Sequence, residues 1–340
     1  MTLESVFKQV VAANASDLHL VAGLPPYLRI DGELKPMEGK PLSAKEIETM
    51  VSGMVEESRF KKFLIEKNLD FAYDDGDGFR FRVNLQFEKE AISLSARTIP
   101  NIIPSMEDIG MPKVVYDLCN LDRGLILVTG PTGCGKSTSL ASMIEYINKN
   151  RNENIITLED PMEFIFQHDK SIIRQRQLGT DMLSFQDGLV HVLRQDPNVV
   201  MVGEMRNLET IATTITLAET GHLVFATLHT YNAAQTIDRI IDIFPPHQQN
   251  QVRMQISITL KGIISQRLIP ASGGGRVAAR EILINTPAVS NLIRENKISQ
   301  LKTVIQTSAK EGMVTMDNSL NGLYKQGIIT KEVMESNLYL

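Results

Sequence analysis

The run Gly130-Pro-Thr-Gly-Cys-Gly-Lys-Ser137 matches the pattern G-x-x-x-x-G-K-[S/T], and that spacing serves one kind of chemistry. Gly133 and Gly135 let the backbone curl so that its N–H groups point inward at phosphate oxygens, helped by the positive end of a following helix, with Gly130 opening the nucleotide-binding segment. Lys136 then reaches the β- and γ-phosphates of a nucleoside triphosphate. Ser137 offers a hydroxyl to Mg2+, a hard cation that takes oxygen ligands. Pro131, Thr132, Cys134 and Thr138 complete the nucleotide-binding segment, so ATP and Mg2+ are the expected cofactors. Cys134 beside a helix start invites a redox reading, but it fills a free position of the loop and is read as part of the cradle.

Such a loop needs carboxylates opposite it, to hold Mg2+ through water and to orient the water that attacks the γ-phosphate. The apolar run VVMVGE ends in Glu204, whose reach favours direct contact with that water, which makes it the general-base candidate. The run IITLEDPMEF brings a second acidic set to the end of another strand. There Glu159 and Asp160 are candidates for Mg2+, partly through water, and Glu163 is a catalytic candidate. His222 and His229 bracket HLVFATLH; seven residues apart on a strand, they are expected on opposite faces and unable to share a metal. An imidazole titrating near pH ~6.5 suits a bond to a phosphate or a glutamate. His229 is the stronger candidate for that role, while His19, His168, His191 and His247 read as structural.

The elements that must carry these groups are visible as apolar runs alternating with helical periods. LILVTG precedes the phosphate loop and a helix from Lys136; IITLED, VVMVGE and HLVFATLH follow. Continuous apolar strands between helices imply an α/β core with a parallel-type sheet covered on both faces. Asn207 and Asn232 read as N-caps, Gly221 as a helix stop, and Thr286-Pro287 as a cap with a first-turn proline. A helix is expected from Gln248 to about Gln266, and a strand over Val277–Ile284. Before residue 99 the texture is α+β: short strands at Leu18–Val21 and Tyr27–Ile30, a turn at Asp31-Gly32, a helical stretch from Ser43 to Leu64, and the alternating Phe79-Arg-Phe-Arg-Val83. The prolines of Ile99–Pro112 mark a linker. The expected organisation is therefore a small α+β domain at 1–98, a linker at 99–112, the ATPase core at 113–285 and a helical tail at 286–340.

Composition agrees with a globular chain of two or three domains: 340 residues, 43% apolar and 22% charged. With 35 basic and 40 acidic residues the net charge of −5 provides no overall field for nucleic acid. Two cysteines are too few for a disulfide framework, and a reducing, cytoplasmic setting is expected. The start MTLESVFKQVVAANASD has neither the basic opening nor the apolar run of a secretory signal. No stretch nears the roughly 18 apolar residues of a membrane span, so no direct membrane insertion is expected.

Four stretches together resemble the secretion-ATPase superfamily, in particular the PilT-type retraction ATPases of type IV pili. They are ASDLHL at 15–20, the phosphate loop, ITLEDPMEF at 156–164, and VVMVGEMRNLETI through AETGHLVFATLHT at 199–230. The resemblance implies a PAS-like first domain, a RecA-like P-loop ATPase core and a homo-hexamer with nucleotide held between the domains. It further implies hydrolysis that drives pilin depolymerisation and twitching motility, with the motor peripheral at the inner face of the cytoplasmic membrane. The implied partner is an inner-membrane pilus platform protein, pilin being met indirectly. By the same resemblance Arg80, Arg82 and Arg97 fit the family's phosphate-approaching arginines. Assembly ATPases carry an extra N-terminal domain and a four-cysteine element that this sequence lacks, which favours retraction. One departure is at 288–295, AVSNLIRE where the retraction signature resembles AIRNLIRE; it keeps an accessory retraction role or a competence-pilus motor open. The reading from a different class is a nucleic-acid translocase on the same RecA-like core.

Overall fold

The computed structural model describes residues 2–30, 32–75, 79–99 and 102–338. Its chain forms two compact units, Met1–Ile102 with Pro161–Ile165, and Ile103–Asp160 with Phe166–Leu340.

In the first unit the elements are α1 (Leu3–Ala12), β1 (Asp17–Leu20), β2 (Tyr27–Ile30), β3 (Glu33–Pro36), α2 (Ala44–Ser52), α3 (Glu57–Glu66), β4 (Asn68–Asp74), β5 (Arg80–Glu88) and β6 (Ala91–Ile99). The strands make one antiparallel sheet in the order β3-β2-β1-β6-β5-β4. Helix α1 was not anticipated from the sequence; Val6, Phe7 and Val10 lie fully buried along one stripe, against Phe81 and its neighbours. The expected helix from Ser43 to Leu64 is corrected to two. Ser43 and Glu46 do form a reciprocal capping box, but α2 stops at Gly53 and α3 starts afresh at Glu57. Glycine's conformational entropy makes it a poor residue to carry a helix through. Of the expected Asp31-Gly32 turn, Asp31 lies outside the described residues, and Gly32 has the left-handed φ of +87°.

The second unit holds α4 (Lys113–Cys119), β7 (Gly124–Thr129), α5 (Lys136–Asn150), β8 (Asn154–Glu159), β9 (Ile172–Gln177), α6 (Phe185–Val192), β10 (Val199–Val202) and α7 (Leu208–Glu219). It continues with β11 (Leu223–Leu228), α8 (Ala233–Asp242), α9 (Pro246–Thr259), β12 (Leu260–Pro270), β13 (Arg276–Ile284), α10 (Pro287–Arg294), α11 (Leu301–Thr307), α12 (Met316–Lys325) and α13 (Lys331–Leu338). The sheet order is β13-β12-β7-β11-β10-β8-β9, parallel throughout except for the antiparallel edge strand β13. Every residue of β7, β10 and β11 is buried, as strands covered on both faces must be.

The helix expected to reach Gln266 ends instead at Thr259, and residues 260–270 form β12. Leu260, Ile263 and Ile264 continue a helical spacing from Val252 and Ile256, so periodicity alone could not locate the end. What fixes the strand is pairing on both sides, with β7 and with β13. Strand β9 was likewise unforeseen. The tail from residue 286 folds back onto the core: Val289, Ile293, Leu301 and Ile305 share one buried cluster with Leu125 and Leu127 of β7. From the linker region, Pro100 and Asn101 lie outside the described residues. Beyond Ile103 the segment is stitched down, with the Arg280 guanidinium donating to the carbonyls of Ile109 (2.9 Å) and Gly110 (3.0 Å) and Ser142 Oγ to that of Pro104 (2.7 Å). Burial lowers the Arg280 pKa to about 10.

Candidate functional site

The carboxyl ends of β7, β11, β10 and β8 lie side by side in the second unit, the edge of a parallel sheet where α/β proteins hold ligands. Between β7 and α5 runs the phosphate loop, with φ of +144°, +77° and +85° at Gly130, Gly133 and Gly135. At Gly130 space as well as φ demands glycine, because a Cβ there would overlap the Gln266 carbonyl oxygen and lie 2.6 Å from Cys134 Sγ. Strand β12 braces the loop from behind: Gln266 Nε2 donates to the Cys134 carbonyl (2.8 Å), and Ser139 Oγ donates to Gln266 Oε1 (2.8 Å). Gln266 was not foreseen, since its residues had been read as helix. Cys134 is buried, and burial pushes its thiol up despite the nearby Lys136, which suits an inert wall of the cradle better than a redox group.

Lys136 Nζ donates to the carbonyls of Gly130 (2.8 Å) and Pro131 (3.1 Å) and lies 3.4 Å from His229 Nδ1. His229 Nε2 is 3.0 Å from Glu204 Oε1. These two contacts together assign a tautomer in which Nδ1 accepts from the lysine and Nε2–H donates to the glutamate. Glu204 Oε2 accepts from Arg206 Nε at 2.8 Å, and Arg206 Nη1 lies 3.5 Å from Asp160 Oδ2. Lys136, His229, Glu204, Arg206 and Asp160 thus form one continuous row across four strand ends. Arg206 was missed by motif reading, although its place two residues after Glu204 was a usable signal.

The backbone around Glu204 is held from both sides. Gly203 N–H donates to the Leu158 carbonyl of β8 (2.8 Å), and Met205 N–H to the Thr227 carbonyl of β11 (3.1 Å). Thr227 Oγ1 donates to the Gly203 carbonyl. A Cβ at residue 203 would stand 3.1 Å from the Leu158 oxygen, so glycine permits the close approach. Beside the row opens a cleft of about 350 Å³ bordered by Glu204, Arg206, His229 and Arg239. A second cavity, of about 570 Å³, flanks the loop and is lined by Thr132, Gly133, Arg267, Leu268 and Arg276.

The remaining predicted residues fall elsewhere. Glu159 is buried and accepts from Thr157 Oγ1 on its own strand (2.6 Å) and from Gln175 Nε2 (3.1 Å), the second bond tying β8 to β9. Glu163 is exposed, on the stretch 161–165 that belongs to the first unit. His222 sits at the opposite end of β11 from His229, with its Nδ1 2.9 Å from the Leu217 carbonyl oxygen. Arg82 and Arg97 face each other across β5 and β6, and Arg97 in turn pairs in register with Asp17. Arg97 Nε donates to Asp17 Oδ1 at 2.9 Å; burial opposes ionisation of Asp17, but Ser16 and Arg97 hold its carboxyl below the usual range. Arg80 stands two residues from Arg82, on the same half-exposed face of the first unit's sheet.

Among the described residues no group of three or more His, Cys, Asp or Glu could hold a metal unaided. The half-buried Ser137 hydroxyl at the start of α5 is an oxygen donor of the kind a phosphate-carried Mg2+ would take.

Fold and site together define a P-loop ATPase on a RecA-like α/β sheet, preceded by a small α+β domain. Residues 105–335 match the family model described as type II/IV secretion system protein. The chain is 46% identical over 319 residues, 94% of its length and 93% of the relative's, to the type IV pilus retraction ATPase PilT of Pseudomonas aeruginosa. It is 45% identical over 313 residues, covering 92% of its own length and 84% of the relative's, to a twitching motility protein of Neisseria gonorrhoeae. Among solved structures, the pilus retraction motor PilT with bound ADP superposes with a TM-score of 0.94 at 46% identity, over 99% of this chain and 96% of that one. The chain belongs to the type II/IV secretion system family, in its PilT-type retraction ATPase branch, and is an ATP hydrolase.

Proposed function

We propose that this protein is the motor that hydrolyses ATP to retract a type IV pilus, working as a homo-hexamer against an inner-membrane platform protein at the cytoplasmic face. The observation that carries the chemistry is the row from Lys136 through His229 and Glu204 to Asp160, set at the strand ends of a chain that resembles PilT through both of its units. Among the described residues no helix is long and apolar enough to cross a membrane.

The loop N–H groups, with the first turn of α5, bind the phosphates, and the cavity beside them has room for the rest of the nucleotide. Lys136 leaves its backbone acceptors to neutralise the β- and γ-oxygens. Glu204 accepts a proton from the water that attacks the γ-phosphorus as the bond to the β-phosphate oxygen breaks, giving ADP and phosphate. His229 orients Glu204 through Nε2–H and senses the γ-phosphate side through Nδ1. When bound at Ser137, Mg2+ would supply charge neutralisation across the phosphates, with Asp160 as a water-mediated neighbour. Glu159 supports this acidic end from inside the sheet; Glu163 is proposed as a further catalytic carboxylate, and Arg80, Arg82 and Arg97 as the phosphate-approaching arginines that the family resemblance implies. A ligand shifts a two-state molecule only by its differential affinity, and the γ-phosphate supplies that difference.

The test is turnover by the purified chain. Lys136→Ala is expected to abolish it. Glu204→Gln is expected to bind ATP undiminished but turn over at least about a hundredfold more slowly. Undiminished turnover in the glutamine variant would remove Glu204 as base, and normal pilus retraction in cells carrying Lys136→Ala would remove the motor.

A further inference from the structure

Both oxygens of the Glu204 carboxylate are engaged, Oε1 by His229 and Oε2 by Arg206, whose other arm points to Asp160. A glutamate has three rotatable side-chain bonds, so a base of this type must be restrained if its lone pair is to meet an attacking water in one direction. Arginine suits that purpose because its planar fork can bond two acceptors at a fixed angle, which the point charge of lysine cannot do. Asp160 lies at the end of β8, and the chain leaves the second unit immediately after it.

We propose that Arg206 is a positioning residue for Glu204: it pins Oε2 and anchors the side chain to Asp160, so that the second lone pair of Oε1, beside the one His229 takes, is presented to water. This rests on the reading of Glu204 as the general base. Arg206 itself touches no reacting atom. The pair is partly open to solvent, with Arg206 62% and Glu204 23% exposed, so its contribution to folding is slight and its effect is geometric.

Steady-state kinetics of Arg206→Ala, Arg206→Lys and Asp160→Asn test the proposal, with thermal unfolding measured alongside. For Arg206→Ala we expect kcat to fall about tenfold or more, KM for MgATP to stay within about twofold, and the melting temperature to move by no more than about 2 °C. Ethylguanidinium should restore part of the lost kcat in Arg206→Ala and none in Glu204→Gln. Arg206→Lys, which keeps the charge and covers the case of a poorly folded alanine variant, should remain well below wild type. Asp160→Asn should lose less than Arg206→Ala, and because Asp160 also neighbours the Mg2+ position the double variant should be slower than Arg206→Ala but by less than the product of the two single losses.

Wild-type kcat in Arg206→Ala, with Glu204→Gln inactive, would overturn the positioning role and leave the base intact. Full turnover in Glu204→Gln would overturn the base reading itself. A loss in Arg206→Ala expressed mainly in KM would make Arg206 a nucleotide ligand, and full additivity with Asp160→Asn would break the link to Asp160; either result overturns the proposal.

Discussion

Glu281, on β13, is a carboxylate at 9% exposure whose Oε1 accepts the Ala233 N–H at the start of α8 (2.9 Å). Burial raises its pKa above the ordinary carboxylate value, against the pull of that N–H, Lys302 and Arg267. The unfolded chain therefore loses this proton before the folded one does as pH rises, so Glu281 subtracts stability above its folded pKa and nothing below the unfolded value. Glu281→Gln keeps the accepting oxygen without the charge. It is expected to match wild type in thermal unfolding near pH ~4 and to exceed it near pH ~7.5. A variant less stable than wild type at the higher pH would show that Lys302 and Arg267 outweigh burial. At this scale the sequence was readable where identity alone implies a role. Lys136, Glu204 and His229 meet within one row, as their types suggested. Arg206 and Gln266 acquire meaning only from what the fold sets beside them, and Glu159, chosen for its charge, is occupied by Thr157 and Gln175.

Loops and strands impose tighter terms than single side chains. Gly130→Ala would force both a left-handed backbone on a Cβ-bearing residue and an overlap with the β12 backbone at Gln266. Strain of this kind costs about 1–3 kcal/mol before the overlap is counted, so the variant should melt several degrees lower and lose nucleotide binding. Gly274→Ala is the control, with a φ of +88° but open space around its Cβ. It should cost about 1 kcal/mol and leave ATP binding unchanged. Equal costs at the two sites would mean that backbone angle alone decides. Helix starts were legible because caps are local: Ser43, Asn207, Asn232 and Thr286 each accept from the residue three positions on. Strands β9 and β12 were not, because their existence depends on partners far along the chain. Ser290, which departs from the retraction signature, donates its hydroxyl to the Ser257 carbonyl and so ties α10 to α9.

At the level of the whole molecule, the change of texture near residue 99, where prolines interrupt any continuing ladder, lies beside the boundary between the two units at Ile102. What no compositional shift revealed is that residues 161–165 belong with the first body although they lie between stretches of the second. Removing residues 1–102 would therefore not be a clean excision. Met162 and Phe164, each only 7% exposed in the intact protein, lie in that segment, which would lose the unit it is grouped with. Each such side chain is worth about 1.5–3 kcal/mol when buried, and a chain starting at residue 103 would turn that apolar surface to water. The shortened protein is expected to aggregate by light scattering and bind a hydrophobic dye, and Met162→Ser with Phe164→Ser should relieve both. A truncated chain that stays monodisperse without those changes would show that the five-residue excursion is dispensable. Otherwise, anyone dissecting this protein inherits a sticky loop whose cover was thrown away.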